Sequence, residues 1–261
     1  MICEAKMKFV VIKKSLIAFI LCFVLLLGVY CIPITDTDSV AGVFFGNSGR
    51  KIPIYSVQTE NKQIAISFDA AWGADKTADI MTTLREYNVG ATFFLVGFWV
   101  KEYPDLVKKI AENGFEIGTH TNTHPDMCKL SCQDMREELE TSTKLITDIT
   151  GGSVKLFRAP FGSYNNTLIE TAESLGLTTI QWSLDGLDWK GISAKEITTR
   201  VLNRVKPGDI VLFHNNSDHI TQALPVILER LKMQGYTVTC ISDLLIKDSY
   251  TIDHAGVQKK M

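Results

Sequence analysis

Repeated βα units around a mainly parallel sheet are the fold class that the sequence predicts, an α/β architecture, and three observations predict it. From Ile64 onward, short apolar runs alternate with amphipathic helical patterns. A length of 261 residues with an apolar fraction of 46% suffices for one large core. Polar motifs follow five of the apolar runs, at the strand ends where a βα barrel assembles its active site from separate loops. Periodicity by itself leaves a barrel and an open doubly wound sheet equally possible.

Ahead of that core, residues 1–14 carry Lys6, Lys8, Lys13 and Lys14, and Ser15 to Ile32 (SLIAFILCFVLLLGVYCI) is an unbroken uncharged run. Such a run is long enough to cross a bilayer as one helix, and it lacks the polar face of a core helix. Lysines on its N-terminal side predict an N-in transmembrane anchor over 15–32, with the remaining chain outside the cytoplasm. No small-x-small site follows, which favours a retained anchor over a removed signal peptide, and Met7 is an alternative start. Residues 33–61 are polar and read as a linker, and 248–261 as a C-terminal tail.

A net charge of −2 leaves no polyanion footprint, so nucleic acid is not an expected partner. Cys128, Cys132 and Cys240 are too few to set a disulfide framework and either pair or stay reduced.

Taken in order, Ile64, Ile66 and Phe68 alternate with Ala65 and Ser67 in a strand that ends at Asp69. Lys76 to Tyr87 is a helix with Ile80, Leu84 and Tyr87 on one face, and Ala91 to Val96 is the next buried strand. A helix over Tyr103 to Asn113 stops at Gly114, and Phe115 to Thr119 is a strand that delivers His120. The stripe Met135, Leu139, Ser142, Ile146 and Ile149 makes a long helix ended by Gly151 and Gly152, before the strand Lys155 to Phe157 and Arg158. Leu168 to Leu175 is helical, Thr178 to Leu184 is a single β-branched strand delivering Asp185, and Ile197, Val201 and Val205 mark another helix. Asp209 to Phe213 delivers His214, a helix carries Ile220, Leu224, Ile227 and Leu231, and Tyr236 to Cys240 is a closing strand.

Asp69 reads either as a turn aspartate or as a reactive carboxylate at a strand end. His120 and His124 stand four apart, a spacing that lets both imidazoles reach one metal, although a surface pair has the same spacing. In RAPFG the proline and glycine turn the backbone sharply after Arg158, which either presents an N–H near Phe161 to an oxyanion or is an ordinary proline turn with a solvated arginine. Asp188 with Trp189 joins a carboxylate to a large apolar wall, which suits either a substrate pocket or a buried tryptophan beside an unrelated charge. His214 emerges from its strand toward the same mouth as Asp69, where a nearby Asp188 would keep it protonated as a general acid; a satisfied core histidine is the competing reading.

These five motifs, SFDAAWG, HTNTH, RAPFGSYN, DGLDW and VLFHN, resemble in order those of the polysaccharide deacetylase family, the NodB-homology carbohydrate esterases of family 4, over about 62–247. The first motif is most similar to the sporulation branch, the PdaB type. The resemblance implies a distorted (β/α) barrel and removal of acetyl groups from N-acetylated sugars with a divalent metal, zinc or cobalt. It implies Asp69 as general base, Arg158 orienting it, His120 and His124 as metal ligands and a backbone donor near Phe161. Asp188 then tunes the acid His214, while Trp189 and Leu212 wall the acetyl pocket. One departure stands out: the family's third metal ligand, its second aspartate, is Ala70 here. Loss of that oxygen weakens metal binding, and Asp69, Asp75 and Asp126 are the oxygens left nearby in sequence.

The expectation is a membrane-anchored extracytoplasmic deacetylase acting on N-acetyl groups of peptidoglycan. The alternative is a catalytically impaired glycan-binding or scaffolding homologue that lost its metal with Ala70.

Overall fold

The computed structural model describes residues 49–261. The expected anchor over 15–32 and the first part of the expected linker lie outside these residues. No helix among the described residues is long and apolar enough to cross a membrane.

The strands and helices follow in the order β1 (Ser56–Val57), β2 (Gln63–Ala70), α1 (Thr77–Glu86), β3 (Thr92–Leu95), α2 (Gly97–Glu102), α3 (Pro104–Glu112), β4 (Glu116–Thr119) and α4 (Cys132–Thr150). Then come β5 (Leu156–Phe157), α5 (Asn166–Ser174), β6 (Thr178–Thr179), β7 (Leu184–Asp185), α6 (Ala194–Leu202), β8 (Ile210–His214), α7 (Ile220–Met233), β9 (Thr237–Thr239), α8 (Ile241–Leu244), β10 (Tyr250–Ile252) and β11 (Val257–Lys260).

Seven strands order as β6-β5-β4-β3-β2-β8-β7, with β9 paired to β2, and every pairing is parallel. This parallel half-barrel is consistent with the distorted (β/α) barrel expected, and β2 pairs with three strands, β3, β8 and β9. The strand alternation of β2 sorts its side chains: Ile64, Ile66, Phe68 and Ala70 join the large apolar cluster that also takes in Ile80, Leu84, Ile220, Leu224 and Ile227 from the helices. Ala65 falls instead in a smaller cluster with Phe94, Leu156, Ile180 and Ile210, the filling of the curled sheet. Below that filling, the chain closes in a way that composition did not indicate.

Two expectations need correction here. Thr178 to Leu184 is not one strand: Thr178 and Thr179 pair with β5, whereas Leu184 and Asp185 pair with β8. Between them the backbone crosses the open side of the sheet, where Ile54 bridges Ile180 and Ser56 bridges Asp209. Residues 54–57, expected as linker, thus fill the gap. The expected tail is a β10–β11 hairpin whose second strand pairs with β1, so that both ends of the domain lie in one three-stranded sheet. Polar composition concealed this, because the pairing rests on backbone bonds and on Gln258, whose buried carboxamide bonds both backbone groups of Ile246.

Local signals elsewhere acted as read. Gly114 and Gly151 adopt positive φ just past α3 and α4, and α6 begins at a capping box between Ser193 and Glu196. The helix α2 was unexpected; it packs Trp99 and Val100 into the core one turn before Pro104 opens α3. Cys128, Cys132 and Cys240 are all free thiols.

Candidate active site

Asp69, His120, Arg158, Asp185 and His214 stand at or just past the carboxyl ends of β2, β4, β5, β7 and β8. A cavity of about 790 Å³ opens at this end, lined among others by Asp69, His120, His124, Phe161, Asp188, Trp189, Leu212 and His214. Every residue given a catalytic, substrate-binding or metal role from the sequence lines it except Arg158, which lies fully buried.

Asp69 and His214 are register partners across β2 and β8. Arg158 acts on Asp69 from below: its Nη1 donates to Asp69 Oδ1 at 2.8 Å, and its Nη2 donates to the Gln181 carbonyl at 3.1 Å. The guanidinium lies 4.1 Å from the centre of the Phe94 ring, a cation–π contact that supports an otherwise costly buried charge. Burial pushes the Asp69 carboxyl up, but the charges of Arg158, His120 and His214 more than offset it and hold the group below its ordinary value. Asp69 is therefore a carboxylate at neutral pH.

The Arg158 carbonyl meets His120 Nδ1 at 2.7 Å, which makes Nδ1–H the donor and turns Nε2 toward Asp69 Oδ2, 3.5 Å away. Burial lowers the His120 pKa, against the pull of Asp69. His124 sits farther out at φ +60°, edge to face with His120, Trp72 and Phe161 at ring-centroid distances of 4.9, 4.9 and 4.8 Å. Burial there holds its pKa down at about 4, so it is a neutral imidazole.

Across the cavity Asp188 holds His214 twice: Oδ2 accepts from the His214 backbone N–H at 2.8 Å, and Oδ1 meets Nδ1 at 2.9 Å. Burial lowers the His214 pKa, but the Asp188 hydrogen bond and charge win and the net shift is upward. Ser217 Oγ donates to the Asp188 carbonyl at 3.1 Å and fixes that turn.

Phe161 has φ +61°, and no acceptor among the described residues takes its N–H. A bulky residue held in the left-handed region costs on the order of 1–2 kcal/mol, a strain expected where a backbone group is aimed at a ligand.

The zinc or cobalt ion implied by the resemblance requires an oxygen donor besides the two imidazoles. Ala70 is fully buried in the outer apolar cluster and does not line the cavity. Asp69 is committed to Arg158, Asp75 pairs with Lys76 at 2.8 Å, and Asp126 pairs with Lys129 at 3.2 Å. Among the described residues no three His, Cys, Asp or Glu side chains form a metal-holding group. The residues present do not fit a resident three-ligand metal.

Sequence reasoning missed Trp72, which lines the cavity, and the fully buried Asn215, which fixes the Trp72 loop. Both lie within quoted motifs, SFDAAWG and VLFHN, and their positions near Asp69 and His214 were the available signal.

A family profile described as polysaccharide deacetylase matches residues 56–180. The chain is 35% identical to a peptidoglycan-N-acetylglucosamine deacetylase of Bacillus cereus over 196 residues, covering 73% of this chain and 92% of that protein. It is 34% identical to the peptidoglycan-N-acetylglucosamine deacetylase PgdA of Listeria monocytogenes over 213 residues, covering 82% of this chain and 45% of the relative's length. Among solved structures, a CE4 family pseudoenzyme from Bacillus anthracis superposes with a TM-score of 0.73 at 33% identity, covering 80% of this chain and 70% of that one. A mutant of that pseudoenzyme with restored enzymatic activity has the same TM-score at 34% identity, with coverage of 80% and 73%.

Proposed function

The chain belongs to the polysaccharide deacetylase family, and from that premise we propose that it hydrolyses N-acetyl groups on the sugars of a cell-wall glycan, peptidoglycan being the polymer that its relatives' names specify. The observation that carries this reading is the Asp69–His214 pairing over one cavity, each member held by its own buried partner.

In the proposed reaction Asp69 takes a proton from water as the water oxygen bonds to the acetamide carbon. The N–H of Phe161 holds the oxyanion that forms. His214 then gives its proton to the sugar nitrogen as the C–N bond breaks, leaving acetate and a free amine. Leu212 and Trp189 enclose the acetyl methyl. No step is assigned to a metal, and a slow enzyme is the expected result, since Lewis-acid assistance contributes several kcal/mol where it operates.

The uncharged run over 15–32 supports a single-pass anchor that would keep the domain beside the wall. The form of SFDAAWG supports a role in sporulation. Acetate release from purified wall glycan by the full-length protein tests the activity, with Asp69→Asn and His214→Ala each expected to abolish it. Release by both variants equal to that of the wild type would remove the assignment.

Ala70 and the likeness to a pseudoenzyme favour one second reading, a glycan-binding homologue without catalysis. Measurable glycan binding with no acetate release and no bound metal would establish it in place of the first.

A further inference from the structure

Every exposed phenylalanine and tryptophan among the described residues lines one cavity: Trp72, Phe161 and Trp189 are 58%, 70% and 56% exposed. Phe161 and Trp189 have already been given roles. Trp72 has not.

The loop that carries Trp72 is held firmly. The Gly73 carbonyl accepts from Trp99 Nε1 at 2.7 Å and from Asn215 Nδ2 at 3.0 Å, and Asn215 Nδ2 also reaches Thr77 Oγ1 at 3.1 Å. Trp99 and Asn215 are themselves fully buried. Gly73 sits at φ +65°, the left-handed turn that sets the indole outward. Its aromatic neighbours continue the surface: Trp72 lies 6.0 Å from Phe98 and 4.9 Å from His124, and His124 lies 4.8 Å from Phe161. Trp72, His124 and Phe161 thus form a row of rings along one wall of the cavity, with Phe98 packed against Trp72.

Leaving a large apolar side chain in water forgoes about 1.5–3 kcal/mol, and Trp72, 58% exposed on a loop tied down by buried groups, is not recovering that energy in the core. A rigid indole that is apolar on its faces and carries no net charge suits the C–H face of a pyranose better than an ionic group. Trp72 follows Asp69 by three residues, close enough to flank the reacting sugar but on a separate part of the loop.

We propose that Trp72 is a stacking platform for a neighbouring sugar unit of the same N-acetylated glycan chain, so that the site selects an extended chain over a single sugar. This rests on the deacetylase reading for the identity of the reacting unit. The occupant is an uncharged N-acetylhexosamine ring, bound through its apolar face.

The test uses the full-length protein and two probes, N-acetylglucosamine and its linear tetrasaccharide, with affinity measured by calorimetry and acetate release followed alongside. In the wild type the tetrasaccharide binds more tightly. Trp72→Ala is expected to reduce the tetrasaccharide-to-monosaccharide affinity ratio by roughly tenfold, equivalent to about 1.4 kcal/mol. Trp72→Phe, which keeps an aromatic face and controls for loop disruption, is expected to restore most of that ratio. An unchanged ratio in Trp72→Ala overturns the platform, as does a Phe variant no better than Ala. Acetate release together with a Trp72-independent ratio overturns the platform alone. A Trp72-dependent ratio without acetate release supports the platform and overturns only the deacetylase reading.

Discussion

Asp69 and His214 lie side by side as register partners on β2 and β8, and both open into the same cavity. Residues 145 positions apart are brought together because β8 inserts beside β2 in the parallel sheet. The two side chains are prepared in opposite senses: Arg158 favours the ionised carboxyl, and Asp188 favours the protonated imidazole. A base and an acid separated by environment in this way fit a reaction that takes one proton and gives another.

Asp69→Asn tests both sides of the Arg158 contact. Activity is expected to fall by about 10²–10⁴, the usual contribution of a positioned general base. Stability is expected to fall by about 3 kcal/mol as well, since a fully buried guanidinium loses its counter-charge. Denaturant unfolding of the variant checks the second effect. An inactive variant as stable as the wild type would mean that Arg158 does not depend on Asp69.

Asp188→Asn tests how His214 is held protonated. As a general acid His214 works below its pKa, so wild-type activity is expected to fall as pH rises through a value above 6.5. Removing the carboxylate leaves burial, which acts downward, and the alkaline limb of the pH–rate profile is expected to move to lower pH. The same shift has a stability counterpart. With a raised folded pKa, the His214–Asp188 pair stabilises fully below 6.5 and loses that contribution as pH rises through the folded value. An alkaline limb that stays in place in the variant would exclude His214 as the acid.

Gln258→Ala tests whether the last strand belongs to the domain. Gln258 is buried, accepts from the Ile246 N–H at 2.8 Å and donates to the Ile246 carbonyl at 3.1 Å. Leaving those groups unpaired is expected to cost about 1–3 kcal/mol, read as a lower urea midpoint for the whole cooperative transition. A midpoint unchanged from the wild type would make the hairpin an appendage.

Much of this arrangement was legible from residues 64–240 because strand ends announce themselves. An apolar run that stops at Asp69, at His120 or at His214 states both where the strand is and which group it presents. What was not legible depends on backbone geometry that side-chain patterns do not encode. Phe161 at φ +61° breaks the usual preference of a bulky residue, and the break of the 178–184 run follows from pairing with different partners, β5 and β8. Trp72 looked like one more apolar residue after Asp69, and only the Gly73 carbonyl bonds show that its loop is fixed facing outward. Arg158 was legible as a partner for the base, but not as the residue whose carbonyl also sets the His120 tautomer.

Ala70→Asp tests the account of the metal site. His120 and His124 offer two nitrogen donors, and the missing donor is an oxygen at the end of β2. Position 70 belongs to the outer apolar cluster, so an aspartate there must leave that layer to reach the imidazoles. Without metal the variant is expected to be less stable than the wild type, because a carboxylate replaces a fully buried methyl group. With zinc it is expected to regain stability, since an ion that binds only the folded state adds RT ln(1 + [L]/Kd), about 2.7 kcal/mol at a hundredfold excess over Kd. Thermal unfolding with chelator and with zinc measures both effects independently of any activity. The wild type, with two imidazoles alone, is expected to show little zinc-dependent shift in Tm. A wild type stabilised by zinc as strongly as the variant would show that position 70 is not where the site lost its ligand.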